Sequence, residues 1–213
     1  MTIYVARHGE TAWNVEGRMQ GRRGVSLNER GRAQAARLAW VAAELGLTRV
    51  VTSPLPRALE TCGFVMERVN GEFVTADSLM EIDFGVCTGM TEPEIEEKFP
   101  GLAATRKLDK WNHAWPAGES YAAATSRLRA AIRTGALPLA DETLVIAHQS
   151  LNRALVHVLS DLAPNDALGI AQRADVLLRV DPERKLSHAV IPAAVTDPLV
   201  WVDGPYLGRT HLN

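Results

Sequence analysis

Two histidines, two arginines and one glutamate carry the chemistry this sequence offers. Arg7 and His8 stand side by side in "ARHGETAWN" (6–14), directly after a short apolar run and just before a glycine. Arg57 lies in "TSPLPRALET" (52–61), Glu81 in "LMEIDFGVCTGMT" (79–91), and His148 ends "TLVIAH" (143–148). Taken singly these are weak signals: Arg7-His8-Gly9 would pass for a surface turn and Glu81 for a loop carboxylate. Taken as a set they suit phosphoryl transfer. The planar fork of arginine binds phosphate oxygens in pairs. Nearby arginines disfavour a protonated imidazole, so one histidine stays neutral and can take a phosphoryl group covalently. The second histidine, as a cation, would donate to the transferring oxygens. A carboxylic acid beside a phosphate dianion keeps its proton near neutrality and can deliver it to the leaving alcohol. Arginine and histidine then do the neutralising, so neither a metal nor an organic cofactor is expected.

Such a set works only if the chain brings it together, and the pattern of elements says how. "TIYVAR" (2–7) reads as a short buried strand, and "RVVTS" (49–53), "EFVTAD" (72–77) and "TLVIAH" (143–148) as further short strands. Helical spacing follows in 27–46, 54–69, 120–135 and 150–162, the second entered through prolines. Strand and helix alternate, which predicts an α/β fold: a mostly parallel central sheet flanked by helices on both faces. In such a sheet the carboxyl ends of the strands share one edge, where ligands bind and helix N-termini favour anions. Arg7, His8, Arg57 and His148 are all expected there. Residues 81–120 are rich in charge, glycine and aromatics, with two short helix-like pieces, and read as an insertion lid over those strand ends. "DVLLRVD" (175–181) and "LSHAVIP" (186–192) read as two more strands, and the tail from Ala193 gives little signal.

Bulk properties narrow the class. A chain of 213 residues is expected to form a single domain with a large core. The formal net charge of −2 supplies no global basic field, so neither nucleic acid nor an anionic membrane is expected as partner. No apolar run is long enough for a membrane span, and Arg7 and Glu10 interrupt any signal-peptide core. Cys62 and Cys87 lack disulfide-framework or metal-ligand spacing and are read as small buried residues. The compartment expected is a reducing, cytoplasmic one. Among macromolecular partners only a second copy of the chain, as a homodimer, stays open.

"RHGET", Asn14, "TSPLPRALET", the Glu81 loop and "VIAH", in that order, resemble the histidine phosphatase (phosphoglycerate mutase-like) superfamily over residues 3 to about 160. The resemblance implies that His8 is phosphorylated, that Arg7, Arg57 and His148 form the phosphate pocket with Asn14 lining it, and that Glu81 is the proton donor. "EIDFGVCTGMTEPEIEEKFP" (81–100), "ATRKLDKW" (104–111), "WPAGESY" (115–121) and "VIAHQSLNRAL" (145–155) are similar to the fructose-2,6-bisphosphatase branch. That implies a sugar-phosphate site built from Arg106, Lys110, Tyr121, Gln149 and Arg153. Where the branch carries a tyrosine after its Met-Thr pair, this chain has Glu92, a carboxylate that would repel a second phosphate.

The expected activity is a metal-independent phosphomonoesterase acting on a small phosphorylated metabolite, a sugar or polyol phosphate, with fructose 2,6-bisphosphate the named candidate. A mutase of the phosphoglycerate type and a non-catalytic phospho-ligand binder are the alternatives. Arg106 and Lys110, spaced i,i+4, are expected on one helix face. Gly21 is expected either to shape its loop or to bring its backbone to the phosphate. Trp111 and Trp115 could wall the pocket or pack helices, and Tyr121 could pack on the insertion. His157 reads as a satisfied core histidine, and His113, His188 and His211 as surface or structural.

Overall fold

The computed structural model describes residues 1–194 and 196–207. His211 lies outside the described residues. The strands are β1 (Ile3–Arg7), β2 (Arg49–Thr52), β3 (Glu72–Thr75), β4 (Thr143–Ala147), β5 (Val176–Val180), β6 (Leu186–Val190) and β7 (Val202–Asp203). The helices are α1 (Ala12–Val15), α2 (Glu29–Glu44), α3 (Pro56–Met66), α4 (Glu92–Lys98), α5 (Leu102–Leu108), α6 (Tyr121–Thr134), α7 (Gln149–Leu159) and α8 (Pro164–Leu168). Boundaries fall within a few residues of those expected, and α1, α8 and β7 had no sequence signal.

The strands form one seven-stranded sheet in the order β3-β2-β4-β1-β5-β6-β7. β3, β2, β4 and β1 run parallel. β5, β6 and β7 join them through antiparallel pairings, so the sheet is mixed. Connection length explains part of this. Only residues 181–185 link β5 to β6, and Asp181 closes the turn by donating its N–H to the Lys185 carbonyl. A parallel pair would need a crossover of a dozen residues or more.

Alternate strand residues face opposite layers, and both layers are buried. Val5, Val51 and Val145 pack with Leu128 of α6 and Leu151 and Leu155 of α7. Tyr4, Val50, Leu144 and Ile146 pack on the other side with Leu38 of α2 and Cys62 and Val65 of α3. Hence the strands read as continuous apolar runs. Burying one such side chain contributes about 1.5–3 kcal/mol. Among the described residues, no helix is long and apolar enough to cross a membrane.

The register aligns the functional strand ends. Arg7 pairs with Ala147 across β1 and β4, and Thr52 pairs with Ile146 across β2 and β4. His8 continues the ladder by donating its N–H to the Ala147 carbonyl at 3.0 Å, as Ser53 does to Ile146 at 3.0 Å. Close packing then fixes the loop after β1. A Cβ on Gly9 would drive into the Gly31 carbonyl, and one on Gly31 into that of Glu10. The N-terminus of α2 therefore lies flat against the His8 loop.

Candidate active site

His8 is held from both ring nitrogens. Its Nδ1 is 2.6 Å from the Gly9 carbonyl, and Arg57 Nε donates to its Nε2 at 3.1 Å. A carbonyl only accepts, so Nδ1 carries the proton and Nε2 presents its lone pair. Burial, then the cations Arg7 and Arg57, push the His8 imidazole well below its ordinary range. The ring is neutral, with the lone pair that a nucleophile needs at Nε2. Thr61, one turn after Arg57, accepts the Gly9 N–H at 3.1 Å and steadies the loop.

Arg57 enters at the first turn of α3 because Pro56 fits that position without a lost donor. It is 1% exposed. Its remaining donors go to the carbonyls of Arg23 at 2.9 Å and Gly21 at 2.7 Å. Burial brings its guanidinium down to about 10, with Glu81 opposing and Arg7 reinforcing the shift. Gly21 thus acts through its carbonyl, as an anchor for Arg57.

His148, the residue before α7, is fully buried, with Nε2 2.8 Å from Ser53 Oγ. Ser53 Oγ also accepts the Leu55 N–H at 3.3 Å, and among the described residues the acceptor within reach of its own proton is His148 Nε2. That assigns the imidazole proton to Nδ1, which has no protein partner. Burial, followed by Arg57, His8 and Arg7, pushes this histidine well below its usual range too. The cation expected at His148 is therefore a neutral donor in the unliganded site, because the neighbouring arginines forbid a further positive charge. The two imidazole centroids are 5.2 Å apart. Arg7 donates to the Gln172 carbonyl at 3.4 Å and keeps a buried Nε without a partner. Arg7 Nε and His148 Nδ1, two buried donors without acceptors among the described residues, stand near His8, and an oxyanion would satisfy both.

Glu81 does fold back over the strand ends. Its carboxylate accepts from the N–H groups of Ile82 at 2.9 Å, Leu151 at 2.8 Å and Ser150 at 3.3 Å, and so sits on the N-terminus of α7. Asn14 uses its Oδ1 to accept from the Thr11 N–H at 3.0 Å in a capping box. With Arg7, His8 and Glu10 it lines a cavity of about 330 Å³.

A second cavity, of about 580 Å³, is lined by Glu92, Arg106, Lys110, Trp115, Tyr121 and Arg153 among others. Arg106 is nearly buried against the Trp115 ring at 3.8 Å and donates to the His113 carbonyl. Arg153 donates to the Ile170 carbonyl at 2.8 Å and the Tyr121 hydroxyl at 3.2 Å, while the Tyr121 ring stacks on Trp111. The shared helix face expected for Arg106 and Lys110 is not formed, because α5 ends at Leu108. Both reach the same cavity from the last turn of α5 and the turn after it. Gln149 opens α7 half-buried and lines neither cavity.

Of the other single residues, His157 is half-buried and its Nδ1 meets the Leu162 carbonyl at 2.8 Å, while His188 does the same with Gly204 at 2.9 Å. Both cysteines are buried, and burial pushes the Cys62 thiol up to about 12. The sequence reading missed Ser53 and Thr61, although both stand inside the quoted "TSPLPRALET". It also missed Gln172 and Asn152. Gln172 Nε2 donates to the Val5 carbonyl and Asn152 Nδ2 to that of Ala6, tying the end of β1 to α7 and to the segment before β5.

Known proteins with this arrangement are numerous. A 6-phosphofructo-2-kinase/fructose-2,6-bisphosphatase from Gallus gallus is 33% identical over 180 residues, covering 84% of this chain and 37% of that protein. The Homo sapiens 6-phosphofructo-2-kinase/fructose-2,6-bisphosphatase 1 is 33% identical over 183 residues, covering 85% of this chain and 37% of that protein. The chain thus spans little more than a third of the length of these curated relatives. A mycobacterial glucosyl-3-phosphoglycerate phosphatase, solved in complex with VO3, superposes with a TM-score of 0.73 at 24% identity, covering 96% of this chain and 98% of that one. The family model described as histidine phosphatase superfamily (branch 1) matches residues 3–188. The chain belongs to that superfamily.

Proposed function

We propose that the chain hydrolyses a small sugar phosphate through a phosphohistidine at His8. The observation that carries this reading is the lone pair of His8 Nε2, presented beside Arg57 with its Nδ1 proton tied to a carbonyl. Nε2 attacks phosphorus in line. Arg7, Arg57, His148 and Asn14 take the equatorial oxygens, so that the charge of the transition state meets donors already in place. Glu81 gives a proton to the leaving oxygen and, as carboxylate, then draws one from the water that cleaves the N–P bond.

The substrate class rests on the second cavity. Arg106, Lys107, Lys110 and Arg153 make its walls basic, and Met19, Phe84 and Trp115 give it apolar surface. The likeness to fructose-2,6-bisphosphatase domains points to a phosphorylated sugar. Glu92 on the same wall favours a substrate with one phosphate over one with two.

Phosphate release across sugar mono- and bisphosphates, and from a phosphoglycerate with its bisphosphate primer, tests the assignment. Wild type should release phosphate and form an acid-labile phosphoenzyme, and His8→Ala should do neither. Undiminished hydrolysis by His8→Ala would sink the mechanism, and accumulation of an isomer in place of phosphate would make the protein a mutase.

A further inference from the structure

Three charged side chains outside the reacting set grip the segment that presents Glu81. Arg127, on α6, donates to the carbonyls of Ser78 at 2.7 Å and Met80 at 3.2 Å. Arg22, in the loop after α1, donates to the carbonyl of Glu81 itself at 3.4 Å. Glu119 joins the two. Its carboxylate meets Arg127 Nε at 3.1 Å and Nη2 at 3.0 Å, Arg22 Nη2 at 3.0 Å, and the N–H of Asp83 at 3.2 Å. Backbone on both sides of Glu81, at residues 78, 80, 81 and 83, is thus fixed by one ionic cluster. The cluster is less than half exposed throughout, with Arg22 at 37%, Arg127 at 22% and Glu119 at 20%.

Arg22 has a second property. It stands between Gly21 and Arg23, whose carbonyls hold the guanidinium of Arg57. Residues 21–23 therefore grip the phosphate-binding arginine through their backbone and the Glu81 segment through a side chain.

We propose that Arg22, Glu119 and Arg127 are positioning residues that hold Glu81 at the distance from the His8–Arg57 side that proton donation requires. The proposal rests on the reading of Glu81 as the acid. None of the three needs to touch the reacting phosphate. Their removal would not take away the acid but would let its loop drift, and small misplacement of a catalytic group costs rate.

Leaving-group chemistry separates this from a merely structural role. p-Nitrophenolate departs without a proton, whereas the alkoxide of β-glycerol phosphate does not. Single-turnover release of the two alcohols should therefore be measured for wild type, Arg22→Ala, Arg127→Ala, Arg22→Lys and Glu81→Gln, with thermal unfolding of each. The alkyl-to-aryl rate ratio should fall about tenfold in Arg22→Ala and Arg127→Ala, recover in part in Arg22→Lys, and fall about a hundredfold or more in Glu81→Gln. Equal losses on both substrates, or an unchanged ratio in Arg22→Ala and Arg127→Ala while Glu81→Gln lowers it, would overturn the clamp and leave the acid standing. An unchanged ratio in Glu81→Gln would overturn the acid assignment and the clamp with it.

Discussion

Acid should destabilise this fold through two buried histidines, His8 and His148. His8 is 3% exposed and His148 is 0% exposed, and for each the burial cost is reinforced by neighbouring arginines. Both stay neutral in the folded chain at a pH where the same side chains in the unfolded chain take up protons, near 6.5. Above that value neither state binds a proton and nothing is lost. As pH falls below it the unfolded state binds more protons, so stability declines until the folded histidines themselves protonate. One such group gives a slope of about 1.4 kcal/mol per pH unit, and two give about 2.7. For a domain of this length that is roughly 5–11 °C in Tm per pH unit. Urea unfolding from pH 7.5 to 5 at fixed ionic strength measures it for wild type, His8→Gln, His148→Gln and the double variant. Subtracting the double variant removes the carboxylates, which titrate in all four proteins. Each single variant should lose about half of the excess slope. If the double variant shows the wild-type slope, the histidines are not held neutral and the nucleophile assignment loses its electrostatic basis.

Two further outcomes follow from packing and charge. Gly31→Ala forces a Cβ into the backbone carbonyl of Glu10, which cannot rotate away as a side chain would. It should cost about 3 kcal/mol, read as a fall of roughly 6–12 °C in Tm by calorimetry, and an unchanged Tm would contradict the packing described. Glu92→Tyr removes the one carboxylate from the wall of the basic cavity. The ratio of kcat/KM for fructose 2,6-bisphosphate over fructose 6-phosphate should rise about tenfold at low salt, and less at high salt, where an exposed charge is screened. No change at low salt would mean that Glu92 does not face the substrate.

That Arg7, His8, Arg57 and His148 would meet was legible because parallel strands must end on one edge. Arg7, His8, Arg57 and His148 each follow or adjoin an apolar strand that any reader would mark, and Glu81 heads a segment of plainly different composition. The direction of β5 was not legible. A buried strand has the same pattern whichever way it runs, and only the short link to β6 hints at a hairpin. Lys110 was assigned to a helix face because its spacing from Arg106 is right, yet α5 stops at Leu108, since nothing in "LDKWNH" favours continuing it. Gln172 and Asn152 were invisible for another reason. They bond to the Val5 and Ala6 carbonyls of β1 from elements far along the chain, and a contact created by tertiary structure leaves no period in the sequence.

The unliganded site is organised so that substrate changes few contacts. Arg57 offers three nitrogens in one plane, and both terminal ones donate to carbonyls, Nη1 to that of Arg23 and Nη2 to that of Gly21. Only its Nε–H faces His8. In the proposed mechanism Nε2 would cease to be an acceptor once bonded to phosphorus, and the freed Nε–H would meet a phosphoryl oxygen instead, while the two carbonyls keep the guanidinium plane still. A lysine could supply the charge but not the two anchoring bonds that aim it, so Arg57→Lys is not conservative here. The same economy holds at His148, where the hydroxyl of Ser53 fixes the tautomer and leaves Nδ1–H for the ligand. Charge stabilisation is thus paid for when the chain folds, in the burial that lowers Arg57 and both histidines, and not when the substrate arrives.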